Sequence, residues 1–411
     1  MPHNAVTMVT IKDSVHDHID VEGVAEALLE TPPVQRLRRI RQLGTVQLVY
    51  PSANHTRFEH SLGVFHLADR ALEHLSVAGR QAERVRAAAL LHDVGHSPYS
   101  HNTEAVVERY TGRAHDDVGA LITGGPVARV LAEHDIDPGA VAGLVRGEGE
   151  LGQLVSGELD VDRMDYLVRD AHHTGVPYGT IDQARLVREL ALVDGELVLD
   201  EGNVQTAESL LLARALMNPT VYNHHAARVG KAMLRRGAER LLEGGVAPER
   251  LRRMDDWDFH VALRDHDRTA AIAHRLDRRD LFKRAVWAEI VDVPDDLLDA
   301  DHHEIASLEE GIADRAGVDP DAVIVDVPGE PRMKESTTKV VVNGEARRLD
   351  RQSALVDALR TAQREQWRMG VYCPAEHTDG VGPAAEDVLG LDLDALVTDV
   401  RTRMHHRLDE Y

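Results

Sequence analysis

Over most of the first 250 residues, apolar side chains recur at three- and four-residue spacing. That is the period of helices that bury one face. Ahead of it, Val6, Met8, Val9 and Ile11 lead into Lys12-Asp13-Ser14 and predict a short β-like segment within residues 1–20. From 21 to about 153 the pattern is helical. Thr31-Pro32-Pro33 and Asp137-Pro138 each set a capping side chain before a proline. A first-turn proline has no helical hydrogen bond to lose, so both mark helix starts. Residues 162–171 continue as helix. The runs 190–193 and 196–199 flank Asp194-Gly195, a two-residue hairpin signal. Helical spacing returns over 204–216 and leads through Asn218-Pro219 into a long helix over 222–242.

From about 250 to 320 the chain is charged, poor in glycine and helical in pattern. The period then changes. Residues 323–329 read as a strand ending in a turn, 339–342 with Asn343-Gly344 as a strand and hairpin, and 369–373 as another strand. Between them, 350–367 reads as one amphipathic helix, and 384–399 begins as loop and finishes as helix. There is no internal repeat and no low-complexity tract. The expectation is a mainly α protein: a helical core over 1–250 carrying a short hairpin, a helical extension over 251–322, and a small α+β unit over 323–411.

At 411 residues the chain exceeds the size at which one core stops growing, about 250–300 residues. No apolar run reaches 18 residues and Met1-Pro2-His3-Asn4 opens no signal peptide, so the expectation is a cytoplasmic protein without a membrane span. Cys373 is the single cysteine, which excludes an intramolecular disulfide and a thiolate metal site. The net charge is −23, and only five basic residues are lysine. Such a surface repels itself at low ionic strength and is tolerable when screened, which points to a salt-rich, halophilic cytoplasm. It also argues against nucleic acid as a partner, which needs basic patches, as does an aromatic content of 4%.

The chemistry concentrates in three stretches. The run Ala88-Ala89-Leu90-Leu91-His92-Asp93-Val94-Gly95-His96-Ser97-Pro98 ends an apolar helix in adjacent imidazole and carboxylate groups. Burying them without a partner would be costly. His96 would share the face of His92 if the helix ran on, and Gly95 and Pro98 open the site. Upstream lies Arg57-Phe58-Glu59-His60, and downstream Asp160-Val161-Asp162-Arg163-Met164-Asp165-Tyr166. Taken singly, each has a plainer reading. His60 would be a packed histidine, His66 and His74 surface or packing residues, and Tyr166 and Tyr222 core aromatics. Asp160 and Asp165 divide evenly between the site and a solvated acidic face, where Arg163 and Arg169 would gain little by pairing with them. His172-His173 reads as structural, and the pairs at 224–225, 302–303 and 405–406 as solvated. Together, His60, His92, Asp93 and Asp162 make a mixed nitrogen and oxygen set suited to a divalent ion such as Mn²⁺, Fe²⁺, Zn²⁺, Mg²⁺ or Ni²⁺.

These segments, with Pro33-Val34-Gln35-Arg36-Leu37-Arg38, Gln42-Leu43-Gly44 and Arg169-Asp170-Ala171-His172-His173, resemble the HD-domain metal-dependent phosphohydrolases over about 13–225. Within them the order is most similar to the deoxynucleoside triphosphate (dNTP) triphosphohydrolases. The resemblance implies an HD-domain helical core and metal ligation by His60, His92, Asp93 and Asp162. It implies His115 as general acid with His96 assisting, Glu104 as the carboxylate orienting the acid, and His96 and His101 on the phosphate side. Arg57 and Arg163 would meet phosphate oxygens, and Arg163 stands where vertebrate members have lysine. Gln42, Leu43, Tyr166, Asp170 and Tyr222 would shape a deoxyribose pocket, with Arg214 reaching the terminal phosphates. Asn218 departs from a histidine of the vertebrate members, so the outer contacts are expected to differ.

Glu30, Gln35 and Arg38 fall where those members bind an activating nucleotide, although Glu30 replaces aspartate and Val9 replaces lysine. The family also implies a homo-oligomer, a tetramer foremost. The expected reaction is metal-dependent hydrolysis of a nucleotide substrate, dNTP to deoxynucleoside plus triphosphate. The alternatives are a nucleotide phosphomonoesterase, a phosphodiesterase, and a nucleotide sensor without turnover. Gln42-Leu43 and Tyr166 favour the first reaction, and the retained His60, His92, Asp93, Asp162 and His115 weigh against a sensor.

Overall fold

The computed structural model describes residues 8–331 and 333–391. It is mainly α, as the periodicity predicts, with small sheets at its margins. The lead-in is a complete hairpin: β1 (Met8–Asp13) pairs antiparallel with β2 (Asp17–Glu22), Met8 opposite Glu22. Val21 is therefore strand where a helix was expected, because Ile19 and Val21 alternate inward into the core. Val6 lies outside the described residues.

Both proline-marked helices form, at Pro32–Arg36 behind Thr31 and at Pro138–Val145 behind Asp137. In the second, Asp137 accepts the Gly139 N–H, as a capping aspartate should. Helices Arg57–His74, Gly79–Leu91 and Val161–Thr174 form the centre of the main core. The first is fixed by Glu59, whose carboxylate takes the Thr56 N–H at 2.6 Å and its hydroxyl at 2.8 Å. At Gly63 it crosses Val161–Thr174 so closely that an added Cβ would lie 1.8 Å from Asp165 Oδ1. Only glycine permits that approach, and it is what brings the helices carrying His60 and Asp162 together.

The hairpin of β3 (Leu190–Val193) and β4 (Glu196–Leu199) forms in the expected register. Helix Val204–Met217 then passes into a π turn at Asn218–Tyr222, so the next helix starts at His225, later than expected. Pro219 cannot supply a helical N–H, and the widened turn accommodates it. His224, expected to be solvated, caps that helix by accepting the Ala226 N–H at 3.2 Å.

The stretch expected to be wholly helical contains β5 (Lys283–Glu289). Charged residues at both ends masked an apolar centre, and a register shift between Arg284 and Val286 breaks its alternation. The later strands are β6 (Ile324–Asp326), β7 (Lys339–Val342), β8 (Glu345–Arg348) and β9 (Arg368–Cys373). They form two sheets, β5-β9-β6 and β3-β4-β7-β8, the latter joined by a parallel contact of Leu199 with Val340. Helix Thr378–Leu389 replaces the loop expected at 384. Gly380, Gly382 and Pro383 signal a loop, but Val381, Ala384, Ala385 and Leu389 bury one face among the residues of a separate core. The helix expected beyond 391 and the pair His405-His406 lie outside the described residues.

Candidate active site

Helix Gly79–Leu91 stops one residue before His92, so His96 is placed by a turn rather than by a continuing helix. Its N–H bonds the Asp93 carbonyl at 3.1 Å. That turn sets His92, Asp93 and His96 at the mouth of the core. Gly95 is required here: an added Cβ would meet the His115 carbonyl oxygen at 2.1 Å.

His60 is fully buried between carboxylates. Its Nδ1 meets Asp165 Oδ2 at 2.8 Å, and its Nε2 lies 2.9 Å from Asp162 Oδ1 and 3.8 Å from Asp93 Oδ2. Burial works against charge on this imidazole, yet Asp162, Asp165 and Asp93 raise its pKa to about 10. His92 Nδ1 is bonded to the Ala89 carbonyl oxygen at 2.8 Å, which turns Nε2 inward. The Nε2 atoms of His60 and His92 are both buried without a hydrogen bond of good geometry. They converge with Asp93, ligand atoms within 4.8 Å of one another, and Asp162 closes the set. Two inward, unsatisfied imidazole nitrogens beside two carboxylates fit a divalent cation, and Asp165 is the outer carboxylate that orients His60.

Asp93 also anchors a second group. Arg57 donates to its Oδ2 at 2.9 Å and to Ser100 Oγ at 2.9 Å. Burial pushes the Asp93 carboxyl up, but Arg57, His92 and His96 hold it well below its ordinary range. Burial and Arg57 hold His96 well below the usual histidine value, so it stands neutral. Its ring stacks on that of His115 at 4.4 Å, with His101 edge-on to both.

Glu104 joins this cluster from behind, bonded to His101 Nδ1 at 2.5 Å and to His115 Nδ1. Burial disfavours a charged His115, but Glu104 outweighs it and raises the pKa. Burial likewise pushes Glu104 up, and His101 and His115 reverse it. A half-buried carboxylate that favours the protonated form of a histidine makes that histidine a candidate proton donor.

These groups line one cavity of about 550 Å³. Gln42, Leu43, Arg57, His101, Arg163, Tyr166, Asp170, Arg214 and Tyr222 all face it, as does Asn218. His60 and Glu104 sit behind its wall. Tyr222 donates to Asp170 Oδ2 at 2.9 Å, and His55 Nε2 meets Asp170 Oδ1 at 2.8 Å. Burial and Asp170 push the Tyr222 phenol well up. Arg163 is held by Asp160, whose Oδ1 also accepts the Arg163 N–H at 2.9 Å. Glu30, Gln35 and Arg38 are not on this cavity wall. Gln35 donates to the Leu29 carbonyl at 2.7 Å, and Arg38 bonds Gln35 and lies over the Phe58 ring.

Several participants escaped sequence reading. Asp160 and Asp165 are buried rather than solvated, and Asp165 binds His60, His16 and Arg169. Arg169 is fully buried between Asp165 and Asp13, far from the exposed pair considered for it. Asp116, Val145, Val155 and Ser156 join the cavity wall. The one signal available was Asp165 itself, one turn after Asp162 and one before Arg169, on a single helix face.

The HD domain family model matches residues 57–170, and the model of the HD associated region matches residues 181–399. The chain belongs to the HD-domain family of phosphohydrolases. Among its relatives, MJ1154 of Methanocaldococcus jannaschii is 32% identical over 379 residues, spanning 90% of this chain and 80% of that one. A phosphohydrolase structure from Bacteroides thetaiotaomicron covers 90% of this chain and 100% of its own, with a TM-score of 0.72 and 26% identity. The deoxynucleoside triphosphate triphosphohydrolase SAMHD1 homolog of Dictyostelium discoideum is 30% identical over 245 residues, 54% of this chain and 47% of that protein.

Proposed function

We propose that the protein hydrolyses a dNTP to deoxynucleoside and inorganic triphosphate. One observation carries the reading: the cation-competent cluster and the His115–Glu104 pair open into the same cavity as Tyr166, Asp170, Tyr222 and Arg214. The relation to the SAMHD1 homolog, named for that activity, supports it.

His60, His92, Asp93 and Asp162 would hold the divalent ion, of a kind left open among Mn, Fe, Zn, Mg and Ni. When bound, it polarises the α-phosphate and lowers the pKa of water. Arg57, fixed by Asp93 and Ser100, offsets charge growing on the phosphate oxygens, with Arg163 and Arg214 further along the chain of phosphates. The oxygen of water bonds to the α-phosphorus and gives up its proton to solvent as the bond to the 5′ oxygen breaks. His115 gives that oxygen its proton, and Glu104 stabilises the imidazolium beforehand. Neutral His96 and His101 line the phosphate side. Gln42, Leu43, Tyr166 and the Asp170–Tyr222 pair would hold the sugar.

The same reading includes an activating nucleotide at Glu30, Gln35 and Arg38, assembly as a homo-oligomer with a tetramer foremost, and a salt-rich cytoplasm as the setting. No described helix is long and apolar enough to cross a membrane. The test is product analysis in high KCl with dNTPs and NTPs plus Mn²⁺ or Mg²⁺. Triphosphate and deoxynucleoside, abolished by chelation and by Asp162→Ala, support the proposal. Orthophosphate or pyrophosphate overturns the triphosphohydrolase reaction, and binding without turnover makes the protein a sensor.

A further inference from the structure

The chain segment carrying Gln42 and the turn carrying Ser100 meet at a carboxylate that belongs to neither. Asp256 opens the helix Asp256–Asp265, outside the segment matched as HD domain, and is buried. Its Oδ1 accepts the Tyr99 N–H at 2.6 Å and its Oδ2 the Arg41 N–H at 3.0 Å. The next residue on each side belongs to the site: Gln42 lines the cavity, and Ser100 accepts from Arg57. Ser100 Oγ also donates to the Arg41 carbonyl at 2.6 Å, so the two segments are tied twice.

The turn needs such a tie. Tyr99 and Ser100 are consecutive non-glycine residues at φ of 57° and 55°. That conformation persists only where the surroundings impose it. The helix bearing the carboxylate is itself anchored, with Phe259 and Leu263 fully buried in the second core. Arg36 strengthens the same junction, donating to the His96 carbonyl at 2.9 Å and to the carbonyls of Arg252 and Met254. Burial pushes the Asp256 carboxyl up to about 6 despite the two amides.

We propose that Asp256 is a positioning residue for hydrolysis, holding the 41–42 and 99–101 segments in register so that Arg57 and Gln42 face the substrate. The proposal rests on the phosphohydrolase reading. Its test is Asp256→Asn in the full-length protein, beside Asp258→Asn, which alters the same helix end at an exposed position. The amide leaves one acceptor and turns a donor toward a backbone N–H. A misplacement of about 1 Å can cost about a hundredfold in rate, so a smaller displacement of site groups is expected to lower kcat by about tenfold or more. The expected result is that loss in Asp256→Asn, with KM for dNTP changed by less than about threefold and Mn²⁺ per chain unchanged, while Asp258→Asn keeps kcat within about twofold. Unchanged kcat, or a loss that tracks lost Mn²⁺ or unfolding, overturns it. If the wild type turns over no phosphoester, the functional reading fails instead. Hydrogen exchange then decides: faster exchange in Asp256→Asn confined to the two segments upholds the tie, and unchanged exchange refutes it.

Discussion

Replacing Asp165 by Asn probes how far the metal cluster depends on a residue that touches no metal. The wild-type carboxylate accepts four bonds, from His60 Nδ1 (2.8 Å), His16 Nε2 (2.6 Å) and two Arg169 nitrogens (2.9 and 3.0 Å). Asparagine keeps one oxygen and turns an N–H₂ toward the donors on the other side, so two of the four are lost whichever way the amide sits. Stripping a buried cation of its partner costs about 3–5 kcal/mol. Arg169 keeps Asp13 at 2.9 and 3.2 Å, which puts the expected loss near the lower bound, about 3 kcal/mol. Loss of an outer carboxylate that orients a ligating imidazole weakens metal binding by about 10–100-fold. Urea unfolding of the metal-free protein gives the first quantity, and calorimetric titration with Mn²⁺ near neutral pH gives the second. A Kd within about twofold of wild type would refute the claim that Asp165 orients His60, and a stability change under about 1 kcal/mol would refute the cost assigned to the Arg169 pair.

Glu104→Gln removes what raises the His115 pKa, so the alkaline limb of kcat moves to lower pH, measurable as a pH–rate profile. The sign follows from the pair. The raised His115 stabilises the fold below about pH 6.5 and loses that effect as pH rises through its folded value. The depressed Glu104 stabilises above about 4.5 and loses it as pH falls. Thermal midpoints should therefore show the pair's contribution greatest between about pH 4.5 and 6.5, and absent in the variant. Gly95→Ala forces a methyl against the His115 carbonyl and should lower kcat about a hundredfold while Mn²⁺ binding persists. With a net charge of −23, the thermal midpoint should rise with KCl between low and molar salt, and a flat response would remove the halophilic reading.

The helical core and the β3–β4 hairpin were legible because period and turn chemistry agree there. Strand β5 was not, since its apolar centre is short and its pairing partner lies some eighty residues on. Helix Thr378–Leu389 was hidden by glycines and a proline that burial overrides. In the site, order along the chain brought out His60, His92, Asp93 and Asp162, and the structure sets them around one point. Asp165 and Asp160 could not be told from a solvated face, because burial is a property of the neighbours and not of the residue. Asp256 left no trace at all: backbone amides are its partners, and they have no sequence signature.

The parallel contact of Leu199 with Val340 has a consequence for anyone who shortens this chain. A fragment ending near residue 250 would hold every candidate ligand and the proposed general acid, and by inventory should work. It would also present β4 as a bare edge, its amides open to the next molecule, the condition under which strands add to one another and precipitate. It would leave the Arg41 and Tyr99 amides without their carboxylate. The minimal folded unit is therefore larger than the span of its candidate chemistry, and a shortened chain should end beyond β9 rather than after the last candidate site residue.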